Sequence, residues 1–216
     1  TKLKNKPAKD AATPVDMEVV YDLIRNAKKS ILFLLFNPGS PSILQEIQEV
    51  ASQRSEDNPL FVRGAISEAK IAKQVITDIY SRDAEAPPDR YVVTGVGAIP
   101  GPFSYFEKEL LKLGHSTIHD KVLVIDPFDK ECVVITGSHN LGFSAPYCND
   151  ENMVIIKRDT EVAKAYAAHV LDVVNHFKWR YKLQEKVAKA KTEAAKKRYW
   201  RTNGTIYLKL MNGWMF

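Results

Sequence analysis

The chain has 216 residues, of which 26% are charged, with a formal net charge of +5 and a pI near 9.0. This length suits one domain with a sizeable core. The longest apolar run, ILFLLF at 31–36, is far shorter than the roughly 20 residues of a membrane span. The sequence therefore predicts a soluble chain with neither a membrane span nor a secretory signal, and it leaves the compartment open.

The positive charge is concentrated at the two ends of the chain. Residues 1–10 carry four basic residues and one acidic residue, a net charge of +3. Residues 11–177 carry 16 basic against 23 acidic residues, a net −7, and residues 178–216 carry 11 against two, a net +9. A high pI ordinarily favours a nucleic-acid partner, but here the basic residues lie outside the central part of the chain.

The first elements follow a regular alternation. Residues 1–14 are rich in Lys, Pro, Ala and Thr and are expected to form a flexible basic arm or linker. With Thr1 in place of Met, this start favours a longer parent protein. Asp16 is expected to cap a helix that reaches about Lys29, and 31–36 reads as a buried strand.

Further along, Ser40 or Ser42 is expected to begin a second helix, followed by a strand at 60–66, a helix at 68–80 and a strand at 90–96. This β-α-β-α-β alternation indicates a sheet with helices packed on it, and strands largely parallel in this half of the chain.

A Gly/Pro loop at 97–103 precedes three aromatic residues, Phe103, Tyr105 and Phe106. Loops of this kind often border sites. The preferred interpretation is that these aromatics fix the helix at 105–113 to the core.

The second half contains three further strands and a long helix. Strands are predicted at 116–126, 132–136 and 151–158, and a helix from 160 to about 180. We therefore divide the chain into a flexible basic arm or linker at 1–14, a folded domain at 15–180, and a basic helix with an apolar tail at 181–216. The basic face of that helix is expected to be solvated.

Residues 119–126 read HDKVLVID, which places His119, Lys121 and Asp126 at the spacing H-x-K-x4-D. In an extended strand, residues i and i+2 point to the same face, so His119 and Lys121 are expected to share one surface. By the same alternation Asp126 falls on the opposite face, at the strand's end and just before Pro127. We interpret Asp126 as a turn or scaffold residue.

The next apolar run ends in Gly137, Ser138, His139 and Asn140, and Glu151 follows eleven residues later. A Gly-Ser-x-Asn turn that opens a short helical segment is expected to offer backbone N–H groups and side-chain donors to an anion. These pieces suit a phosphate.

An imidazole can attack phosphorus and form a covalent phosphohistidine, which makes His119 the candidate nucleophile. Lys121 would supply positive charge, and Asn140 and Ser138 would donate to the phosphoryl oxygens. Glu151 would accept from the other ring nitrogen of His119 and set its tautomer. No cofactor or metal is required, because the nearby carboxylates are scattered over strand faces and turns: Asp126, Asp129, Asp150 and Glu151.

The segment from His119 to Glu151 resembles the phospholipase D superfamily, whose members carry H-x-K-x4-D followed by G-S-x-N and a downstream Glu. The resemblance implies a sandwich of the α/β class, with a mixed sheet flanked by helices on both faces, and the same residue roles, with Gly137 as a structural motif residue. One departure is the connection from Asp126 to Gly137, which looks a few residues longer than in the small single-motif endonucleases of the superfamily.

One histidine cannot be both the covalent nucleophile and the acid for the leaving group in the same step, so a second motif is required. Sites of this superfamily are built from two motifs related by a pseudo two-fold axis, and only one is present here. The chain therefore either pairs with a copy of itself or is the C-terminal half of a longer two-motif protein.

The other candidate groups receive plainer interpretations. His139 is expected to face outward, and the remaining histidines are expected to be core or surface residues: His115, His169 and His176. The two cysteines, Cys132 and Cys148, have no metal-binding spacing and are expected to be free.

The substrate class stays open between nucleic acid and phospholipid, with a noncatalytic assembly half as a third possibility. The basic arms fit a nuclease, whereas the acidic body does not. The Pro/Phe loop and the terminal WMF could form an apolar entrance for a lipid. Nucleic acid is favoured narrowly, because nothing in the sequence is convincingly membrane-binding.

Overall fold

A computed structural model describes residues 12–39, 41–55, 57–66, 92–94, 118–148 and 150–189. Several predicted features lie outside these ranges: the arm at 1–11, Ser40, the helix at 68–80, the Gly/Pro loop and aromatic helix at 97–113, His115, and the tail from 190. None of the described helices is long and apolar enough to cross a lipid bilayer.

The described part of the chain contains four helices and six strands. The helices are α1 (Val15–Arg25), α2 (Ile43–Ser52), α3 (Ser144–Cys148) and α4 (Thr160–Lys189). The strands are β1 (Ser30–Leu35), β2 (Phe61–Ile66), β3 (Val92–Thr94), β4 (Lys121–Ile125), β5 (Val133–Gly137) and β6 (Met153–Lys157).

The six strands form one mixed sheet in the order β3-β2-β1-β4-β5-β6. The strands β1, β2 and β3 pair in parallel, whereas β4 pairs antiparallel with β1, β5 with β4, and β6 with β5. The parallel half follows from the alternation of strands and helices, and the antiparallel half from the short hairpin between β4 and β5. The strands that carry the motif therefore lie inside the sheet.

The apolar residues of β1 are buried on both faces of the sheet, as its continuous run predicts. Ile31, Phe33 and Leu35 pack with the buried faces of α1 and α2. Leu32 and Leu34 pack on the other face with buried residues of α4: Ala163, Ala167, Val170 and Val174. The predicted α/β fold, with a mixed sheet between helices on both faces, is confirmed.

Three element boundaries differ from the sequence prediction. Helix α1 ends at Arg25 rather than near Lys29, and its N-cap is Pro14, so Asp16 lies inside the first turn and does not cap it. The start of α2, by contrast, agrees with the prediction, because Ser42 caps the helix in a capping box with Gln45. Strand β6 begins at Met153, so Glu151 precedes the strand instead of opening it.

The chain divides into two compact units, one of residues Thr1–Gly95 with Thr117–Phe177 and the other of Val96–Ser116 with Lys178–Phe216. The segment from His119 to Glu151 lies entirely in the first unit. Helix α4 is continuous through residue 180, where the sequence places the end of the catalytic domain. The domain limits at 14 and 180 stay a prediction.

Candidate active site

One end of the sheet collects the polar residues of the motif. At this end β1 finishes at Leu35, β4 starts at Lys121, and β5 finishes at Gly137 opposite the start of β6 at Met153. Antiparallel pairing places the start of one strand beside the end of its neighbour, so Phe36, His119, Asn140 and Glu151 are delivered to the same edge from different strands. The topology thus brings the residues of the motif other than Asp126 to one end of the sheet.

His119 and Lys121 are in contact. The Lys121 Nζ lies 3.4 Å from both ring nitrogens of His119 and donates to the His119 carbonyl oxygen at 2.7 Å. Equal distances to the two nitrogens mean that this contact does not select a tautomer of the ring. His119 itself lies just before β4 and is exposed, whereas Lys121 is only 8% exposed. The arrangement presents an accessible imidazole on a buried cation.

Burial lowers the pKa of Lys121, while the negative charges of Glu151 and Asp120 act in the opposite direction. Removing an ammonium from water favours its neutral form, and neighbouring carboxylates favour its charged form. Glu151 is therefore electrostatically coupled to Lys121. The predicted hydrogen bond from His119 to Glu151 stays a prediction.

Phe36 is a site residue that the sequence reasoning missed. Its ring packs on the His119 imidazole with centroids 4.6 Å apart and planes tilted by 52°, and the Lys121 Nζ lies 4.9 Å from the Phe36 ring centroid. The second contact is within cation–π range. Phe36 is the last letter of the apolar run at 31–36, but β1 stops at Leu35. The sequence signal for Phe36 was its place at the end of an apolar strand, because the end of that strand lies beside the start of β4.

Asp126 lies at the opposite end of the sheet from His119. Its carboxylate accepts three backbone hydrogen bonds, from Lys28 N at 2.6 Å and from Lys29 N and Ser30 N at 2.8 Å each. Its own backbone has a positive φ of 49°, which Asp tolerates better than most residues. Asp126 thus fixes the start of β1 to the end of β4. It does not reach the end of the sheet that carries His119, the imidazole end.

Gly137 and Ser138 join the end of β5 to Asn152. Gly137 has a positive φ of 142°, and a Cβ there would collide with the Asn152 carbonyl oxygen, so this position requires glycine. The Ser138 Oγ accepts from Asn152 N at 2.9 Å, and Ser138 N donates to Asn152 Oδ1 at 2.8 Å. Asn152, next to Glu151, is a second residue that the sequence reasoning missed.

The expectation that backbone N–H groups of this turn face an anion is wrong for two of them. Both Ser138 N and His139 N donate to the Asn152 carbonyl oxygen at 3.1 Å. These two N–H groups therefore hold the turn against the segment before β6 and do not face an anion. An anion at this turn would instead have to be held by side chains, of which Ser138 keeps its hydroxyl hydrogen and Asn140 its amide.

Asn140 is half-buried, and within the described ranges its Oδ1 is a buried atom without a hydrogen-bond partner. Such atoms are uncommon in folded proteins and often mark functional positions.

His139, which the sequence analysis expected to face outward, is buried with 3% of its surface exposed. Its Nδ1 accepts from Leu141 N at 2.9 Å, and its Nε2 lies 3.3 Å from Asp16 Oδ2. Burial lowers the pKa of His139, and the negative charges of Asp16 and Glu151 partly offset that shift. The expectation was wrong because the turn, unlike a strand, has no side-chain periodicity from which to read direction.

The remaining candidate groups are the other histidines, the cysteines and possible metal ligands. His169 of α4 is half exposed, and its Nε2 lies 3.4 Å from Asp120 Oδ1. Of His176 only the backbone is described. Cys132 is a free, buried thiol. Among the described residues, no three His, Cys, Asp or Glu side chains are grouped closely enough to hold a metal ion.

The sequence model of the family described as "Cardiolipin synthase, PLD-like domain" matches residues 20–173. No protein with curated annotation matches the sequence.

Two solved structures are similar in fold. One is the crystal structure of Nuc from Salmonella typhimurium, a phospholipase D family member, with 21% identity and a TM-score of 0.48 over 72% of this chain and 84% of that one. The other is NucT from Helicobacter pylori, with 17% identity and a TM-score of 0.44 over 73% of this chain and 88% of that one.

Proposed function

Because the chain belongs to the phospholipase D-like family, we propose that it is a phosphodiesterase that acts through a covalent phosphohistidine at His119. The observation that carries the proposal is the exposed His119 imidazole with the buried Lys121 ammonium 3.4 Å from its ring nitrogens. A nucleophile must be accessible to phosphorus, and a buried cation stabilises negative charge at phosphoryl oxygens more strongly than an exposed one. The pair supplies both requirements at one place.

In the first step a His119 ring nitrogen attacks phosphorus, so that an N–P bond forms while the P–O bond to the leaving group breaks. Lys121 balances the charge on the nonbridging oxygens. The Asn140 amide and the Ser138 hydroxyl donate to the same oxygens. In the second step water attacks phosphorus, the N–P bond breaks, and His119 is restored.

Glu151 stabilises the charged forms of the site. Its negative charge favours the charged form of Lys121 and so opposes the lowering of that pKa by burial. The proposed hydrogen bond to His119 would hold the neutral ring in one tautomer before attack and stabilise the positive charge that the ring gains on bonding to phosphorus. In this scheme the negative carboxylate favours both cations that the reaction needs.

The leaving oxygen takes its proton from a second histidine on the far side of phosphorus, and the same group later accepts a proton from the attacking water. The sequence contains one copy of the H-x-K-x4-D motif. We therefore propose that the second motif comes from another copy of this chain about a two-fold axis, or from another half of a longer protein.

We favour a metal-independent nuclease, since the basic segments at the two ends of the chain suit a polyanion. The second candidate is a phospholipase D that hydrolyses or transfers lipid head groups. It is favoured by the description of the matching family, which carries the name of a lipid enzyme. Both substrates present the same phosphodiester to His119, so the site chemistry alone does not separate them.

The test is a side-by-side assay of the purified protein and His119→Ala on DNA and on phosphatidylcholine vesicles. We expect DNA cleavage by the wild type and a loss of at least about 10³-fold in the variant. Circular dichroism should establish that both proteins are folded. Vesicle cleavage without DNA affinity would overturn the nuclease assignment, and unchanged activity of His119→Ala would overturn the mechanism.

A rapid-quench experiment addresses the intermediate itself. With a substrate that carries ³²P at the scissile phosphate, the wild type should retain label that is stable to alkali and labile to acid, as expected of a phosphohistidine. His119→Ala should retain none.

A further inference from the structure

A buried histidine sits inside the Gly-Ser-x-Asn turn, at the position between Ser138 and Asn140. The His139 ring accepts a hydrogen bond from Leu141 N at 2.9 Å through Nδ1. Since Nδ1 is an acceptor, the neutral ring carries its proton on Nε2, which lies 3.3 Å from Asp16 Oδ2. The contact with Asp16 is close but poorly aligned for a hydrogen bond. The ring therefore connects the first turn of α1 to the backbone just after Asn140.

The backbone on both sides of Asn140 is fixed by named contacts. On one side, His139 N donates to the Asn152 carbonyl oxygen at 3.1 Å. On the other, Leu141 is fully buried and has a positive φ of 54°, a conformation that a branched apolar residue adopts only when its surroundings impose it. The imidazole bond to Leu141 N is one of those constraints. The bond from Ile43 N to the Leu141 carbonyl oxygen, at 3.1 Å, is another.

The Asn140 side chain lacks a comparable constraint. Its buried Oδ1 has no hydrogen-bond partner in the described part of the structure, so no such bond to that oxygen orients the amide before substrate binds. The direction of the amide therefore depends on how the Asn140 backbone is held. A donor that acts on a transition state must be held within a few tenths of an ångström of its productive position.

We propose that His139, supported by Asp16, is a positioning residue for Asn140, because it holds the backbone that aims the Asn140 amide at the phosphoryl oxygens. This inference rests on the proposed function in giving Asn140 that role. It adds two residues that the motif does not contain, one of them 123 positions away in the chain. His139 touches no reacting atom in this scheme and acts only through its neighbour.

The alternative is that His139 is merely part of the core. The two interpretations differ in what happens when Asn140 is absent. A positioning residue loses its effect on catalysis once the group it positions has been removed, whereas a core residue harms the enzyme equally in both backgrounds. A double-mutant cycle with Asn140→Ala therefore separates them.

Four variants are compared with bis(p-nitrophenyl) phosphate as substrate. His139→Gln removes the acceptor for Leu141 N, and His139→Asn keeps an acceptor near the place of Nδ1. Asp16→Ala removes the contact with Nε2, and Asp16→Asn restores an oxygen there. The control is Asp22→Ala, an exposed acid on the same helix that pairs only with Arg25 in the described contacts.

We expect His139→Gln to lower kcat by about 10- to 100-fold with KM changed less than about threefold, as for a donor that acts mainly in the transition state. His139→Asn should lie between His139→Gln and the wild type. Asp16→Ala should lower kcat by a smaller factor, Asp16→Asn should recover most of it, and Asp22→Ala should leave it unchanged. In the Asn140→Ala background, none of the His139 or Asp16 changes should lower kcat further by more than about twofold.

Equal losses in both backgrounds would overturn the proposal. The thermal midpoint of each variant is measured in parallel, and Asp16→Ala, at a half-exposed position, keeps the test available if a His139 variant does not fold. A wild type without phosphodiesterase activity would refute the proposed function but not the positioning of Asn140 by His139. Binding of orthovanadate, which takes the five-coordinate geometry of the phosphoryl transition state, then tests the positioning. It should be weaker in His139→Gln than in the wild type, and Asn140→Ala should bind it equally well with and without His139→Gln. A wild type that binds no vanadate would overturn the inference.

Discussion

The Asp126 carboxylate offers the sharpest test of how the sheet is assembled, because its three partners are all backbone groups at the start of β1. The change to consider is Asp126→Ala, which removes the acceptor for Lys28 N, Lys29 N and Ser30 N. Asp126 is only 6% exposed, so water replaces few of these bonds. A hydrogen bond to a buried acceptor contributes about 1 kcal/mol net, and more when the acceptor is charged. Three such bonds give a loss of about 3 kcal/mol in the free energy of unfolding.

A loss of this size corresponds to about 6 to 12 °C in the thermal midpoint for a chain of this length. Asp126→Asn should cost about half as much, because an amide oxygen can still accept from Lys29 N and Ser30 N, while its NH₂ group faces the Lys28 donor. The control is Asp129→Asn in the same hairpin, where the carboxylate accepts one backbone bond, from Glu131 N, and this variant should shift the midpoint least.

Urea unfolding followed by circular dichroism gives the three free energies. A loss below about 0.5 kcal/mol for Asp126→Ala, or the same loss for Asp129→Asn, would refute the scaffold argument. Activity at a temperature where Asp126→Ala is fully folded should match the wild type, because the residue lies at the far end of the sheet from His119. A proton carrier would instead lose activity while folded.

Five further predictions concern the candidate active site and the proposed mechanism. Lys121→Met should lower kcat by about 10²- to 10³-fold, yet leave the free energy of unfolding unchanged or raised, because a buried ammonium is removed. Burial lowers the pKa of Lys121, and the charged form is lost as pH rises through that pKa. Activity should therefore fall at a pH below that at which an exposed lysine titrates. In Lys121→Arg this loss of activity at alkaline pH should disappear. Phe36→Leu removes the ring against His119 and should lower kcat by about 10-fold, whereas Phe128→Leu, at a position that is 82% exposed, should have no effect. EDTA should leave activity intact, and its loss would reject the phosphohistidine mechanism as drawn. If a second copy of the chain supplies the second motif, light scattering should give a dimer mass. A strictly monomeric, inactive species would refute self-assembly.

The fold was predictable because its signals are periodic. The run at 31–36 has no polar residue, which indicates a strand buried on both faces, and β1 has this property. Ser42, one of the two serines expected to begin α2, is its N-cap, and the structure adds the capping box with Gln45. Asp16 showed the limit of such signals: its side chain could cap a helix, but the helix began one residue earlier at Val15, and the carboxylate faces His139 instead.

Sequence spacing selected part of the candidate site, but it did not predict the contacts of those residues or the members that come from other elements. Spacing identified His119, Lys121 and Asn140, since a motif is a statement about sequence distance. Phe36 and Asp16 reach the site from other elements, and their places depend on strand order and helix docking, which no local pattern contains. The same holds for Asn152, whose carbonyl oxygen takes the N–H groups that the turn was expected to offer to an anion.

The spacing K-x4-D follows from the length of one strand. Lys121 is the first residue of β4 and Asp126 follows its last, so the motif spans the sheet from the imidazole end to the entry of β1, about 17 Å at roughly 3.3 Å per residue. Lys121 shares its face with Leu123 and Ile125, which pack under α1 and α2. One residue inserted in β4 would move either Lys121 or the bonds of Asp126 to the wrong face. The length of β4 therefore sets both the place of the Lys121 charge beside His119 and the attachment of β1. This explains why a scaffold aspartate belongs to the same motif as His119 and Lys121.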